Sequence, residues 1–403
     1  MSDALVRQPR VPFLALVAVL GVALSLALGG CSGASGNSAG ADVYRWGVVG
    51  NQGKIAQLEL MTPTTVAGIS GKVVQIATSN SDGYALTSTG EVYAWGVNSY
   101  GELGDGQLTP YATTAVAVKF PPGVKITALA NPMPFDAGLA IDSTGHAWGW
   151  GLNADDDLCL RGLIGEQPQR LPLSDVTLVT GARTHALFYS AGQVYACGSG
   201  DAGELGNGST ASRSRPAPVT GLPRGVRVTA LTSSWEGSGA LLADGDYYDW
   251  GYNAAGQLGD GTTRDSAVPV KVGGLPAPVT QVSQGGSGAA NGQTVAILAN
   301  GSVWMWGNNE RGQLGDGTTA SSAVPVPVRV PAGVTFVLVD SGGYASFAID
   351  STGRLWAWGG NDNGQLGTQA AAREESVPVS VGTRLTQVSS TASNVAGLGA
   401  GIS

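Results

Sequence analysis

Four kinds of residue in this 403-residue sequence could carry chemistry, and each is sparse. Gly198-Ser-Gly200-Asp-Ala-Gly203 has the spacing of a dinucleotide-binding loop, but such a loop must open a helix and no helical period follows it. Asp155-Asp156-Asp157 could attract a cation, yet its spacing is not that of an alternating calcium loop. His146 and His185 have no Ser-His-Asp or paired-carboxylate arrangement around them. We therefore expect no enzyme, cofactor or metal site, and we interpret the aspartates as a solvated acidic loop.

The fourth kind is cysteine, and Cys31 indicates the compartment. Arg7 and Arg10 precede an uncharged run over residues 11–30 that ends in Gly-Gly before Cys31. A basic start, an apolar run and small residues are typical of a secretory signal. The segment resembles a bacterial lipoprotein signal, which implies cleavage before Cys31 and a lipid on its sulfur. A plain transmembrane anchor is the alternative, because the run is about long enough to span a bilayer.

Composition excludes several classes of protein. Residues 31–41 are rich in Gly and Ser and are predicted to be a flexible tether. The net charge is −8, and Lys and Arg do not cluster beyond the first ten residues. Nucleic-acid binding needs a dense basic face and is not expected. With 43% hydrophobic residues the chain can form a core, and 63 glycines indicate many turns and close backbone approaches.

The rest of the chain repeats one unit seven times. Each unit contains a segment such as Val92-Tyr-Ala-Trp-Gly96 or Leu355-Trp-Ala-Trp-Gly359. The aligned tryptophans, with a cysteine in one unit, are at positions 46, 95, 150, 197, 250, 306 and 358. A period near 50 residues is typical of a solenoid or a propeller.

Each unit is predicted to be a small antiparallel sheet. Alternating runs such as residues 293–298 and 302–306 indicate strands, and Ala299-Asn-Gly301 between them indicates a hairpin. A glycine-rich loop such as Asn309-Glu-Arg-Gly-Gln-Leu-Gly315 follows the Trp-Gly strand. The next segment contains proline, as in Val268-Pro-Val270, and is predicted to be an edge strand.

The two ends of the repeat region are complementary. The first unit has its Trp-Gly strand with only the tether before it, whereas the last unit, from Leu385-Thr-Gln-Val-Ser389, stops before a Trp-Gly strand. We expect these two half-units to pair and to close a ring, which removes exposed sheet edges.

These residues resemble the RCC1 (regulator of chromosome condensation) repeat family, through G-x-V-Y-x-W-G followed by N-x-x-G-Q-L-G. The resemblance covers residues 42–403 and implies an all-β, seven-bladed β-propeller, in an extracytoplasmic bacterial branch of the family. His185 lies in the family's G-x-x-H-x-x-A-L element and is expected to hydrogen-bond within its blade. The loops after the first and third Trp-Gly strands depart from the pattern.

Cys159 and Cys197 break the repeat in adjacent units. Cys159 replaces the last glycine of the Gln-Leu-Gly loop, and Cys197 replaces the tryptophan of the next unit. If Cys31 is lipidated, these two remain as an even number in an oxidising compartment. A disulfide and two buried thiols are the alternatives.

Binding residues should be those that the repeat does not dictate. The turn before each hairpin contains large or polar side chains that would surround one face of the propeller. The candidates are Phe135, Trp235, Tyr344, Asn80, Asn291 and Arg183, with Tyr100 and Tyr111 as weaker ones.

We expect a monomeric cell-surface propeller that binds a protein partner through loops on one face and is anchored to the membrane through Cys31. Secreted bacterial members of the family include an inhibitor that covers a β-lactamase active site, so inhibition of β-lactamases or penicillin-binding enzymes is an alternative. Another is a glycan-binding or glycan-acting propeller, which would need carboxylates clustered at the central funnel. Guanine-nucleotide exchange, the role of nuclear members, is not expected with a secretion signal and a negative net charge.

Overall fold

Short runs of alternating residues, separated by glycine-containing turns, form antiparallel strands throughout the described part of the chain. The computed structural model describes residues 42–49, 58–162, 165–286, 288, 291–368, 372–392 and 394–399. These residues form 28 strands and no α-helix, arranged in seven four-stranded sheets. The predicted seven-bladed, all-β fold is confirmed. The predicted signal peptide, Cys31 and the tether lie outside the described residues.

Blade 1 is built from both ends of the repeat region. Its strands are β1 (Asp42–Val49) and β2 (Leu58–Thr65), with β27 (Gln387–Thr391) and β28 (Asn394–Gly399). The sheet order is β2-β1-β28-β27, and β1 pairs antiparallel with β28 so that Trp46 lies opposite Val395. The predicted closure by two complementary half-units is confirmed.

Each of the other six blades is a run of four consecutive strands. Blade 2 has β3 (Val73–Thr78), β4 (Asp82–Thr87), β5 (Val92–Val97) and β6 (Tyr111–Ala117). Blade 3 has β7 (Ile126–Leu129), β8 (Ala137–Asp142), β9 (Ala147–Gly151) and β10 (Gly165–Arg170). Blade 4 has β11 (Val176–Gly181), β12 (His185–Ser190), β13 (Gln193–Gly198) and β14 (Arg213–Pro218).

The remaining three blades follow the same plan. Blade 5 has β15 (Val228–Ser233), β16 (Gly237–Leu242), β17 (Tyr247–Gly251) and β18 (Ser266–Lys271). Blade 6 has β19 (Val279–Gly285), β20 (Gln293–Leu298), β21 (Val303–Gly307) and β22 (Ser322–Pro327). Blade 7 has β23 (Phe336–Ser341), β24 (Ala345–Asp350), β25 (Arg354–Gly360) and β26 (Glu374–Arg384). The proline-bearing strands, such as β18 and β22, are last in their sheets, as predicted.

The repeated tryptophans fill the space between blades. Trp46, Trp95, Trp150, Trp250, Trp306 and Trp358 are all buried. Trp150 Nε1 in blade 3 donates to the Glu102 carbonyl oxygen of blade 2 at 2.8 Å, and Trp46 Nε1 in blade 1 donates to that of Gln365 in blade 7 at 2.9 Å. Each such bond satisfies a buried indole N–H and ties one blade to the next.

Glutamines on the innermost strands add a second link between blades. Gln75 on β3 donates through Nε2 to the Leu129 carbonyl oxygen of β7, and its Oε1 accepts from Leu129 N, both at 2.9 Å. Gln387 on β27 accepts from Ile76 N of β3 at 3.1 Å. The junction of blades 1 and 2 is therefore tied in the same way as that of blades 2 and 3.

Candidate protein-binding face

The loops that join the first and second strands of the blades surround one mouth of the central channel. Every blade contributes to a small cavity there, through Asn80, Phe135, Arg183, Trp235, Gly285, Gly342 and Thr391 among others. Four of the six candidates from the sequence, Asn80, Phe135, Arg183 and Trp235, thus line one cavity. We call the surface formed by these loops the loop face.

Three candidate residues from three consecutive blades are in contact. The Arg183 guanidinium carbon lies 4.0 Å from the centroid of the Trp235 ring and 5.0 Å from that of Phe135. The two rings meet edge to face, with centroids 5.8 Å apart. Both rings are half-buried and Arg183 is exposed. A cation held over two aromatic faces is stabilised by their quadrupoles, and we call this group the aromatic–arginine cluster.

Hydrogen bonds to backbone carbonyls hold the loops of the cluster together. Gly181 N donates to the Pro132 carbonyl oxygen at 3.0 Å, which joins the loops of blades 3 and 4. Thr184 Oγ1 donates to the Trp235 carbonyl oxygen at 3.4 Å, which joins blades 4 and 5. Gly181 is required by this close approach, because a Cβ there would lie 2.4 Å from Cδ of Pro134. The cluster is therefore built on loops that are bonded to one another.

The other two candidates form a second contact on the same face. Asn291 Nδ2 in blade 6 donates to the Tyr344 hydroxyl of blade 7 at 2.6 Å, and both side chains are half-buried. Neither lines the central cavity. Tyr111 is held elsewhere, because its hydroxyl accepts from Arg45 Nη1 at 3.0 Å.

A second depression adjoins the cluster on its blade 2 side. Its cavity of about 290 Å³ is lined by Tyr100, Phe135, Arg183 and the acidic loop of blade 3, among other residues. The Tyr100 side chain is 46% exposed. Tyr100, one of the weaker candidates, therefore extends the aromatic surface of the cluster outward.

The acidic loop differs from its prediction at Asp157. Asp155 is exposed, but Asp157 is 4% exposed and burial raises its pKa to about 8. Asp157 aligns with the Gln or Glu that precedes Leu-Gly in the repeat loop. The equivalent residue of blade 2, Glu102, is also buried. The prediction of a solvated loop is therefore wrong for this residue. No group of three His, Cys, Asp or Glu that could hold a metal ion occurs among the described residues.

His185 also differs from its expected role. Its Nε2 lies 2.7 Å from Ser238 Oγ, which belongs to β16 of the next blade. The expected bond within one blade is wrong, because the first residue of this strand faces the neighbouring blade. Burial lowers the pKa of His185 to about 3, so the ring is neutral at neutral pH.

The charges around the cluster have opposite signs. Burial is the main cause that raises the pKa of Glu236, and the nearby Asp265 adds to it, while the Arg183 charge opposes the shift. Arg183 and Glu236 therefore interact, yet no hydrogen bond or ion pair of Arg183 is found among the described residues. The donors at the edge of the guanidinium are available to a ligand.

The channel below the mouth is polar. Asp340 accepts hydrogen bonds from Ser283 Oγ at 3.1 Å and from Ser390 Oγ at 2.5 Å, and burial raises its pKa to about 6. Sequence reasoning missed Asp340, although the recurrence of Ser and Thr at the ends of the inner strands was a visible signal. The described residues that line the mouth include no Asp or Glu.

The cavity at the mouth measures about 50 Å³. Small-molecule sites usually measure roughly 300–1,000 Å³. Its walls combine apolar side chains such as Met133 with the aromatic–arginine cluster. This geometry suits a surface for a macromolecule better than a pocket for a small substrate.

Comparison with known families gives the repeat its identity. The model "Regulator of chromosome condensation (RCC1) repeat" matches residues 191–241, 244–290, 300–349 and 352–397. A second model with the same description matches residues 73–102, 279–313 and 336–365. The chain belongs to the RCC1 repeat family.

Curated relatives share the repeat over most of this chain. The Ultraviolet-B receptor UVR8 of Arabidopsis thaliana is 29% identical over 314 residues, which cover 76% of this chain and 69% of the receptor. Human E3 ubiquitin-protein ligase HERC2 is 27% identical over 309 residues, 73% of this chain but 6% of the ligase. The chain thus corresponds to a small part of that much longer protein.

Solved RCC1 structures show the same fold. Human WBSCR16 superposes with a TM-score of 0.77 at 20% identity, over 91% of this chain and all of the other. Prp20p of Saccharomyces cerevisiae, whose structure was described with its binding to Gsp1p and histones, has a TM-score of 0.74 at 20% identity, over 91% and 93% of the chains. In the part of this RCC1-repeat chain that the structure describes, no helix has the length and hydrophobicity of a membrane span.

Proposed function

We propose that this RCC1-repeat propeller binds a protein partner through the loop face, with the aromatic–arginine cluster at the centre of the contact. RCC1-repeat propellers are protein-interaction modules. The observation that carries the proposal is the exposed Arg183 guanidinium, stacked on Trp235 and Phe135 of two other blades. Trp and Arg are enriched among the residues that dominate binding energy.

The cluster also indicates what the partner presents to it. The Arg183 guanidinium carbon lies over the Trp235 ring, and its donors are not used by the described residues. A guanidinium edge matches a carboxylate through two parallel hydrogen bonds. Because the loops are already bonded to one another, little ordering is needed when the partner binds. The partner is therefore proposed to place an acidic side chain against Arg183.

The experiment is cross-linking and capture from intact cells, with quantitative mass spectrometry. Trp235→Ala and Phe135→Ala are expected to lower recovery of the partner at least about tenfold, as central contact residues do. Val324→Ala, on the outer strand β22 and 52% exposed, is the matched control and should leave recovery unchanged. Equal recovery with all three variants would contradict the proposal.

We further propose that the protein is lipid-anchored outside the cytoplasm. Support comes from the signal-like residues 1–30, which end at Cys31, and from the disulfide between Cys159 and Cys197. Disulfides persist mainly in oxidising compartments. Metabolic labelling with a fatty acid should mark the wild-type chain and not Cys31→Ser, and the latter should leave the membrane fraction.

The aromatic surface on one face also favours a second candidate, inhibition of a β-lactamase or a penicillin-binding enzyme. A hot-spot cluster rimmed by polar loops is suited to covering the mouth of an enzyme cleft. Purified protein should then slow β-lactam hydrolysis, and Trp235→Ala should restore it. Uninhibited hydrolysis by enzymes of several β-lactamase classes would remove this candidate.

A further inference from the structure

A wide groove lies on the flank of the propeller between blades 3 and 4. Its cavity of about 760 Å³ is within the usual size range of ligand sites. The groove includes Ser190 and Ala191, at the end of β12 opposite the loop that bears Arg183. The six residues of β12 separate this end of the groove from the Arg183 loop by roughly 20 Å at the usual rise per residue.

The groove lies at a junction with a short connector. Residues 171–175 join β10 to β11, whereas the connectors after β6, β14 and β22 are residues 118–125, 219–227 and 328–335. Only the connector after the long strand β26, residues 385–386, is shorter among the junctions between described strands. At the junction of blades 2 and 3, the longer connector places Phe120 with its ring centroid 6.0 Å from that of Trp148 and 5.5 Å from that of Trp150. At the junction of blades 3 and 4, the short connector places Leu173 in the lining of the groove.

The second departure is the loss of the tryptophan. Cys197 occupies the position of the buried tryptophan in the other blades. Its disulfide partner Cys159 lies at the floor of the groove and is 1% exposed. A smaller connector side chain and a missing indole both remove volume at the same place. The groove thus lies where two departures from the repeat, the short connector and the disulfide in place of a tryptophan, fall at one junction.

The lining has two different chemical parts. Leu160, Leu173, Tyr195 and Pro216 form apolar and aromatic walls. Two arginines, Arg161 and Arg215, stand at the rim, and both are exposed.

The two arginines are available to a ligand. Arg161 Nε donates to Ser214 Oγ at 3.2 Å, and no ion pair of either arginine is found among the described residues. Asp175 is the only carboxylate in the lining given by the described residues, and Ser174 Oγ donates to it at 3.4 Å. In a chain with a net charge of −8, a groove with two cations and one anion is locally positive.

We infer that this groove binds a small amphipathic anion, a molecule with an apolar or aromatic body and one acidic group. The body would lie along the Leu160, Leu173 and Tyr195 walls, where burial of apolar surface stabilises it. The acidic group would lie between Arg161 and Arg215, which can offer guanidinium donors from two sides. This site is separate from the protein-binding function proposed for the loop face.

The test uses the full-length chain and two fluorescent probes of similar shape. The anionic probe is 8-anilinonaphthalene-1-sulfonate, and the neutral one is N-phenyl-1-naphthylamine, which lacks the sulfonate. We expect saturable binding of the sulfonate at one site, and at least about tenfold weaker binding of the neutral probe.

The double variant Arg161→Gln/Arg215→Gln should weaken the sulfonate about tenfold and leave the neutral probe unchanged. The matched control is Arg224→Gln/Arg227→Gln, a pair of exposed arginines in the connector of the next blade. It should change neither probe. Trp235→Ala should also have no effect, so that loss of this site and loss of the loop-face function are told apart.

Four results would overturn the inference. The first three are binding of the sulfonate that does not saturate, equal affinity for the two probes, and an unchanged affinity in Arg161→Gln/Arg215→Gln. Weaker binding of the sulfonate in Trp235→Ala alone would place the probe at the loop face and would also count against the groove.

Discussion

Cys159 and Cys197 are joined by a disulfide across the junction of blades 3 and 4, whereas five other junctions place a glycine against a tryptophan. At the junction of blades 2 and 3, a Cβ on Gly104 would lie 2.9 Å from Trp150 Cδ1. Cys159 has the backbone conformation of such a glycine, with φ at 57° against 62° for Gly104. A side chain fits there because the facing indole is absent, so the two substitutions compensate for each other.

Removing the disulfide is expected to destabilise the propeller. For a sequence separation of 38 residues, the loss of the cross-link should lower the free energy of unfolding by about 3–4 kcal/mol. Urea unfolding of Cys159→Ser/Cys197→Ser against the wild type measures this difference. Cys159→Gly/Cys197→Trp, which restores the repeat, is the matched control and should recover most of the loss. Equal midpoints for the wild type and the serine pair would contradict the prediction.

The junction of blades 7 and 1 provides a second prediction. Trp46 Nε1 on β1 donates to the Gln365 carbonyl oxygen of blade 7 at 2.9 Å. Trp46→Phe removes the donor and leaves a buried acceptor without it, which should cost about 1–3 kcal/mol of unfolding free energy. Thermal unfolding checks the value. Tyr100→Phe, at an exposed position, serves as the control, and a loss no larger than its own would show that this bond does not stabilise the ring.

Asp340 should make stability depend on pH. Burial raises its pKa from 3.8 to about 6 in the folded chain, so the folded state binds the proton more tightly than the unfolded state. Its contribution is fully present below pH 3.8 and is lost as the pH rises through about 6, by up to about 3 kcal/mol. Asp340→Asn should remove this loss, because an amide stays neutral and can still bond to Ser283 or Ser390.

The measurement is chemical unfolding of the wild type and Asp340→Asn between pH 4 and pH 8. The difference between the two curves isolates Asp340 from the other carboxyl groups. Asp244→Asn, at an exposed position, should run parallel to the wild type. Parallel curves for Asp340→Asn as well would contradict the assignment of this pH dependence to the channel.

The geometry of Arg183 leads to a prediction about the captured partner. Arg183→Lys keeps the charge but loses the planar fork that stacks on Trp235, so affinity should fall about tenfold. Arg224→Lys, on another surface, should change nothing. Titration of the partner by surface plasmon resonance checks both, and an Arg183→Lys variant with wild-type affinity would show that charge alone suffices.

Much of the fold could be predicted from the sequence, because the residues of each repeat determine the strands and turns of their own blade. The alternation of residues 293–298 and the turn at Ala299-Asn-Gly301 determine a hairpin whatever surrounds it. The period and the incomplete ends determine seven blades and their closure, since a half-unit leaves strand edges that only its complement can pair. The loops that carry the candidate residues were likewise located by alignment of the units.

Contacts between blades were decided by the tertiary structure alone. Phe135, Arg183 and Trp235 lie about 50 residues apart in the sequence, and only the rotation from blade to blade brings their side chains within 4.0–5.8 Å. The partner of His185 was mispredicted for the same reason, since its ring meets Ser238 of the next blade. The burial of Asp157 was also not visible in its local sequence. The sequence period gives the position of a residue within its own blade. Which side chains of different blades come into contact depends on how all seven blades pack around the central axis.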